Sequence, residues 1–386
     1  MKGILVGLVL LTGFVLQAQT WTAKANSPDC RYDGASFSIG NKVYYGAGIT
    51  CSGSHDNSFY VFDPVTNSWD TIASLPGSTR RIPFAFSVNG KGYVGMGIAQ
   101  NGNALNDVWE YDPVMNQWTQ QNNFPFAGRG AAFSCATATK GYVGAGIAYM
   151  QFFADYYEYD PVADTWTAQP SFMGGIRFQG SSFAIGGFTY CLLGNDNNAT
   201  PYSDCWKFDT LSNSWSACAA FPGTARAQAS AFAINGLGYA GYGGHSDFYR
   251  YNPVNNTWTI EVDNNDGAPI YDCATATASA GYCLSEYVSA PDTWEFLTGP
   301  AGIAIAVTNE ISVFPNPSSG VFTVQIAGHE TGDMLITDMH GKQVSPVIIR
   351  RESETVIDMR GYESGIYTAV VNGRTSPYVI RLVVVP

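Results

Sequence analysis

Apolar and polar residues alternate with a period of two along most of the chain, the spacing that puts side chains on one face of a β-strand. The clearest cases are aromatic pairs: Tyr60/Phe62, Trp109/Tyr111, Tyr157/Tyr159, Trp206/Phe208, Tyr249/Tyr251 and Trp294/Phe296. The first five run into a turn, Asp63-Pro64, Asp112-Pro113, Asp160-Pro161, Asp209-Thr210 or Asn252-Pro253, and a Trp follows at 69, 118, 166, 215 and 258. Trp21 keeps the same phase, and a strand Tyr follows each Trp by 23 or 24 residues, at 44, 93, 142, 190, 239 and 282. Turns such as Asn89-Gly90 and Asn235-Gly236 mark hairpins.

These markers predict four strands per repeat, a to d: a and b form a hairpin, c carries the aromatic pair and d the Trp. Four-stranded repeats of this length are propeller blades. The series opens on a lone strand d at Trp21 and ends on strands a, b and c through Phe296. The expected fold is all-β: a six-bladed β-propeller over residues 19–298, closed by the N-terminal strand, which leaves no open sheet edge. Residues 1–18, with Lys2 ahead of an apolar stretch from Ile4 to Leu16, read as an export signal. After a small-residue linker at 299–310, the strand and turn pattern of 311–386 predicts a small antiparallel β-sandwich.

The Arg before strand a, the strand-b Tyr, the aromatic pair and the Asp-Pro-x4-Trp turn together resemble the kelch-repeat family over residues 20–298. Kelch repeats carry a Gly-Gly doublet after strand b. Here Gly46-Ala47-Gly48, Gly95-Met96-Gly97 and Gly144-Ala145-Gly146 stand in that place, with a doublet at Gly243-Gly244. Residues 311–386 resemble the C-terminal sorting domain of the bacterial type IX secretion system, on Pro315-Asn316-Pro317, Asp338-Met339-His340-Gly341-Lys342, Gly365-Ile366-Tyr367 and the apolar end Val383-Val384-Val385. That resemblance implies passage through the periplasm and outer membrane, the type IX machinery as a partner, and a cargo released or held at the cell surface.

Composition narrows the function. Hydrophobic residues are 46% and charged residues 13% of the 386, about half the ordinary charged share, which excludes a disordered chain. The net charge of −12 argues against nucleic acid, which needs a basic footprint. No later apolar run reaches transmembrane length. No G-x-S-x-G, H-E-x-x-H or phosphate loop occurs, so no catalytic residue, metal or cofactor is assigned.

The eight cysteines have no C-x-x-C spacing. Strand register opposes Cys30 to Cys51 and Cys205 to Cys218, so both pairs are expected to form disulfides in an oxidising compartment.

The a–b and c–d turns are short and uniform and share one face. The b–c loops vary and lie on the other, where binding is expected. Arg31, Arg80 or Arg81 (Arg81 being preferred), Arg129, Arg177 and Arg226 all precede a strand a. They form a candidate ring at the channel mouth for an anionic ligand, since guanidinium forks grip carboxylates; the alternative is that each pairs with a blade carboxylate or loop carbonyl. Tyr149, Phe152 and Phe153 in one variable loop suit stacking on a sugar or a protein, or else cover the mouth. Two functions stay open. One is a non-catalytic extracellular protein that binds a glycan or protein. The other is a carbohydrate-active propeller enzyme, similar to the kelch-type sialic-acid mutarotases, using the Arg ring with a loop carboxylate such as Glu286 or Asp196.

Overall fold

The computed structural model describes residues 20–261, 273–284 and 293–298, and further on 311–314, 318–326, 334–338, 343–345, 347–350, 355–372 and 377–384. The expected export segment 1–18, the expected linker 299–310, Asp272, Glu286 and the Pro315-Asn316-Pro317 opening lie outside the described residues. Contacts divide the chain into two compact units, one being Ala18–Thr298 and the other containing Gly299–Pro386.

The first unit is a ring of six four-stranded antiparallel sheets. Blade one comprises Ala35–Ile39, Lys42–Gly46, Phe59–Asp63 and Ser68–Ile72 as strands a to d. In blade six, Cys273–Ala276, Ala280–Leu284 and Thr293–Leu297 are completed by Thr20–Ala23 from the start of the chain. Trp21 pairs with Phe296 in register, and their ring centroids are 4.9 Å apart. The ring therefore closes.

The turn motif works locally and then reaches sideways. Asp63 Oδ1 accepts the Val65 amide at 2.9 Å, and Asp112, Asp160, Asp209 and Asn252 repeat this cap. The Trp that follows donates its indole N–H to the segment after the previous blade's strand d: Trp69 to Ala25 O, Trp118 to Ala73 O, Trp215 to Pro170 O and Trp258 to Ala219 O, all 2.8 Å. Four of the recurring Trp are thus latches between blades, while Trp166 Nε1 has no hydrogen-bond partner among the described residues.

Size complementarity lies beneath these latches. In strand a one residue faces the strand-b Tyr in register: Phe37, Phe86, Cys135, Phe183, Phe232 and Thr275. Each of the four Phe rings presses on a glycine in strand b of the next blade. A Cβ on Gly92, Gly141, Gly238 or Gly281 would lie 2.1 to 2.3 Å from the Phe ring. Where the strand-a residue is smaller, the next blade fills the equivalent position: Thr189 follows Cys135, and Val43 follows Thr275 around the closure.

Cys30 and Cys51 form a disulfide. The expected second bond is not formed: Cys205 and Cys218 sit opposite each other, with Cys218 N donating to Cys205 O at 2.8 Å, yet both are free thiols. The side-chain hydrogen bond with Cys205 pulls the Cys218 thiol down to about 6. Cys135, Cys191, Cys273 and Cys283 are free and buried.

The second unit holds two four-stranded sheets. One consists of Ile311–Phe314, Val321–Ile326, Thr355–Asp358 and Val347–Arg350, the other of Gln343–Val344, Met334–Asp338, Gly365–Asn372 and Pro377–Val384. Phe322, Val324, Ile336, Ile357, Met359 and Leu382 are buried together in one apolar cluster drawn from both sheets, a sandwich.

The Phe–Gly contacts make a prediction. Gly141→Val should destabilise the propeller by about 3 kcal/mol through overpacking, and Phe86→Ala by about 3–5 kcal/mol. Denaturant unfolding of the double variant should fall short of the sum by at least ~1 kcal/mol; strict additivity would show that the two residues do not share one space.

Candidate functional site

Five of the six repeats place an Arg ahead of strand a, and the fold turns it inward. Arg31, Arg80, Arg129, Arg177 and Arg226 are at most 3% exposed. Each Nη1 donates to a carbonyl at the exit of strand b: Ala47 O at 2.8 Å, Met96 O at 3.1 Å, Ala145 O at 3.2 Å, Leu193 O at 2.7 Å and Tyr242 O at 2.8 Å. Those accepting residues have φ of 54 to 61°, and each is followed by a Gly at 71 to 97°. This accounts for the departure from Gly-Gly. The first place tolerates a side chain, whereas a Cβ on the second would meet backbone, as at Gly48, 2.4 Å from Tyr32 O.

The rest of each fork is filled by an Asp just before strand c. Arg80 binds Asp107 bidentately at 2.6 and 2.7 Å, and Arg177 binds Asp204 at 2.7 and 3.0 Å. Arg129 pairs with Asp155 and Arg226 with Asp247. Blade one has Ser58 at that position, and Arg31 uses Asp29 and Asp56 instead. Burial pushes the Asp107 and Asp247 carboxyls up, but the hydrogen bonds and charge of their Arg hold both below the ordinary value of 3.8.

The expectation of a solvent-facing Arg ring is corrected on this geometry. Arg31, Arg129, Arg177 and Arg226 belong to the wall, because desolvated guanidinium is tolerable only when its fork is filled. In blade two the in-phase residue is Arg80, not Arg81. The Arg81 side chain is 42% exposed and pairs with Asp33 at 3.1 Å. The aromatic loop also divides. Phe153 covers the Arg129 guanidinium, 3.7 Å from its ring centroid, and Phe152 packs on Phe178. Tyr149 is 88% exposed beside an exposed Met150, at the tip of the hairpin formed by Ile147–Ala148 and Gln151–Phe152. It holds a φ of 52°, a conformation that favours Asn or Gly.

Strands a line a central channel. Toward the face of the b–c loops it opens into a cavity of about 160 Å³ bordered by Asp33, Ile82, Ala131, Gln179, Gln228 and Ser182, among others. Burial raises the Asp33 carboxyl despite Arg81. His55, in the blade-one loop, is pushed down by burial and by the charge of Arg81, against the pull of Asp33. Its Nδ1 is sealed and has no hydrogen-bond partner among the described residues. Asp196 is absorbed by its own loop, accepting the Asn198 and Thr200 amides. Among the described residues, no three His, Cys, Asp or Glu are grouped to hold a metal, and no helix is long and apolar enough to cross a membrane.

Sequence reasoning missed the Asp partners. Their signal was present, since Asp107, Asp155, Asp204 and Asp247 recur immediately ahead of strand c.

A ring of six blades, completed by the N-terminal strand and held by Arg staples, defines a closed β-propeller. Residues 8–185 match the family described as the KLHDC2/KLHL20/DRC7 Kelch-repeats domain, and residues 312–385 match the secretion system C-terminal sorting domain. The chain carries a kelch-repeat domain and a type IX secretion C-terminal sorting domain, and it is exported to the cell surface or the medium. No curated protein matches it. Among 690 solved chains that do, one titled "Structure of YjhT" is 16% identical, with 72% of this chain and 98% of that one covered at a TM-score of 0.62. At that identity the likeness is one of fold.

The staples should dominate stability. Asp107→Ala strands a fully buried guanidinium and should cost about 3 kcal/mol, whereas Arg81→Ala removes an exposed side chain, leaves the buried Asp33 carboxyl free to take up a proton, and should cost about 1 kcal/mol. Because the folded Asp107 carboxyl titrates below 3.8, its contribution is complete above that value and lost as pH falls through the lower, folded value. Urea titrations at pH 7 and pH 3 read both effects; equal losses for the two variants would contradict the assignment.

Proposed function

We propose that the propeller is a non-catalytic extracellular binding module that recognises a glycan or protein ligand on the face formed by the b–c loops. The observation that carries this reading is the contrast between the two faces. The c–d turns repeat one capped geometry in five blades. The opposite face combines loops of unequal length with the 160 Å³ mouth and the exposed Tyr149-Met150 tip. In the same tip position blade one has Ser52-Gly53 and blade two Asn101-Gly102. An aromatic held at positive φ, in a tip where blades one and two put the positive φ on Gly53 and Gly102, fits a contact residue better than a solvated turn.

Glycan and protein arrays probed with the secreted protein test this reading. Tyr149→Ala should weaken the leading interaction about tenfold, a loss of ~1.4 kcal/mol. Val162→Ala, in an exposed c–d turn, should leave it unchanged. The reverse pattern would move the ligand to the other face.

A second reading has one observation of its own. Asp33 is a buried carboxyl with a raised titration point, beside Arg81 and His55 at the mouth, and such groups occur in acid–base sites. It supports a carbohydrate-active enzyme of the sialic-acid mutarotase kind. Anomer exchange of free sialic acid, followed by NMR, discriminates: the binding reading expects the buffer rate, and acceleration abolished in Asp33→Asn would favour the enzyme.

A further inference from the structure

Around the mouth runs an arc of one residue from each of blades one to five: Asp33, Ile82, Ala131, Gln179 and Gln228. Their φ values lie between 47 and 55°. Their main chains are bonded blade to blade, with Ile82 N donating to Asp33 O at 2.7 Å, Ala131 N to Ile82 O at 3.0 Å, Gln179 N to Ala131 O at 3.1 Å and Gln228 N to Gln179 O at 2.9 Å. Holding Ile in this region is costly for a β-branched residue. The conformation is therefore imposed by the hydrogen bonds between blades rather than by the local sequence. A backbone held constant from blade to blade leaves the side chain as the variable.

The variation is ordered. Ile82 and Ala131 are neighbours and give an apolar side, extended by Pro83. Gln179 and Gln228 are neighbours and give an amide side. Neither Gln side chain has a hydrogen-bond partner among the described residues, although both border the cavity. Two amides offer carbonyl acceptors and N–H donors, and they carry no charge. By contrast, the channel hydroxyls below are occupied: Ser134 Oγ donates to Ala85 O at 3.1 Å and Ser182 Oγ to Ser134 O at 2.9 Å.

Charge and size narrow the ligand. The buried Arg are filled by their Asp partners, Arg81 is neutralised by Asp33, and Asp33 itself borders the cavity in a chain of net charge −12. An anion would enter against that carboxylate with no free guanidinium to receive it. A cavity of about 160 Å³ holds one six-membered ring, since about 150 Å³ accepts a benzene.

We propose that the mouth binds a single neutral, hydroxyl-rich pyranose ring. The side-chain amides of Gln179 and Gln228 read its hydroxyl edge, and its C–H face lies on Ile82 and Ala131. This rests on the proposal that the b–c loop face binds ligand, and it turns the candidate anionic site into a neutral one.

Saturation-transfer NMR and calorimetry on the secreted protein, with methyl glycosides of a neutral hexose, an N-acetylhexosamine and a hexuronic acid, test it. At least one neutral glycoside should bind, with the hexuronide at least tenfold weaker. Gln179→Ala and Gln228→Ala should each weaken binding about tenfold while melting at the wild-type temperature. Binding that prefers the hexuronide, or that Arg81→Ala removes and the Gln variants do not, would overturn the neutral-ring assignment while leaving a ligand-binding face. If neither these glycosides nor the glycan and protein arrays give binding to the wild-type protein, both readings fall together.

Discussion

The structure depends on a steric constraint between neighbouring blades: a Phe on strand a needs a missing Cβ on strand b of the next blade. Gly92, Gly141, Gly238 and Gly281 meet Phe37, Phe86, Phe183 and Phe232 in this way. The relation is circular, because every blade both presents a residue and receives one. It extends through closure, where Thr275 of blade six is followed by Val43 of blade one, the smaller residue answered by the larger. Dense packing tolerates neither a void nor an extra methyl at such a contact. Consequently the number of blades and the closing strand are parts of one packing solution.

Closure also decides what the channel can be. With strands a held at fixed spacing, their small inward residues leave cavities of about 160 and 170 Å³. The Ser hydroxyls tie one inner strand to the next; Ser38 donates to Ala276 O across the junction of blades one and six. The Arg staples then fix the b–c exits over these strands. A rigid rim is the consequence, and any recognition must come from side chains set on it rather than from movement of the wall. Export through the type IX route suits such a molecule, because a ring stapled within five of its blades and latched between blades is robust outside the cell.

Much of this was legible in the sequence, because the aromatic pair, the capped turn and the Trp are local patterns with a fixed period, and hairpin register follows from adding residue numbers. Register also placed Cys30 against Cys51 and Cys205 against Cys218, but whether opposed thiols join is not a matter of register, and only the first pair is bonded. The Arg were found as a repeat with two directions left open, outward to a ligand or inward to a blade carboxylate and loop carbonyl, and the structure takes the second. Arg80 and Arg81 are adjacent, and only the packed blade shows that one meets Asp107 and the other faces water. The arc at the mouth was legible only in position, two residues after each repeat Arg. Asp33, Ile82, Ala131, Gln179 and Gln228 share no side-chain chemistry, and what unites them is a backbone conformation set by hydrogen bonds from neighbouring blades.

Closure by the first strand carries the whole account, and cysteine trapping tests it most directly. Thr20 and Leu297 are paired in register across the junction, so Thr20→Cys with Leu297→Cys, in a Cys218→Ser background, should oxidise to a bond within one chain. Peptide mapping under non-reducing conditions should recover the 20–297 linkage in nearly all molecules, and the oxidised protein should melt at a higher temperature than the reduced one. Cysteines that stay free under mild oxidant, or that link only between separate molecules, would contradict the closed six-bladed ring.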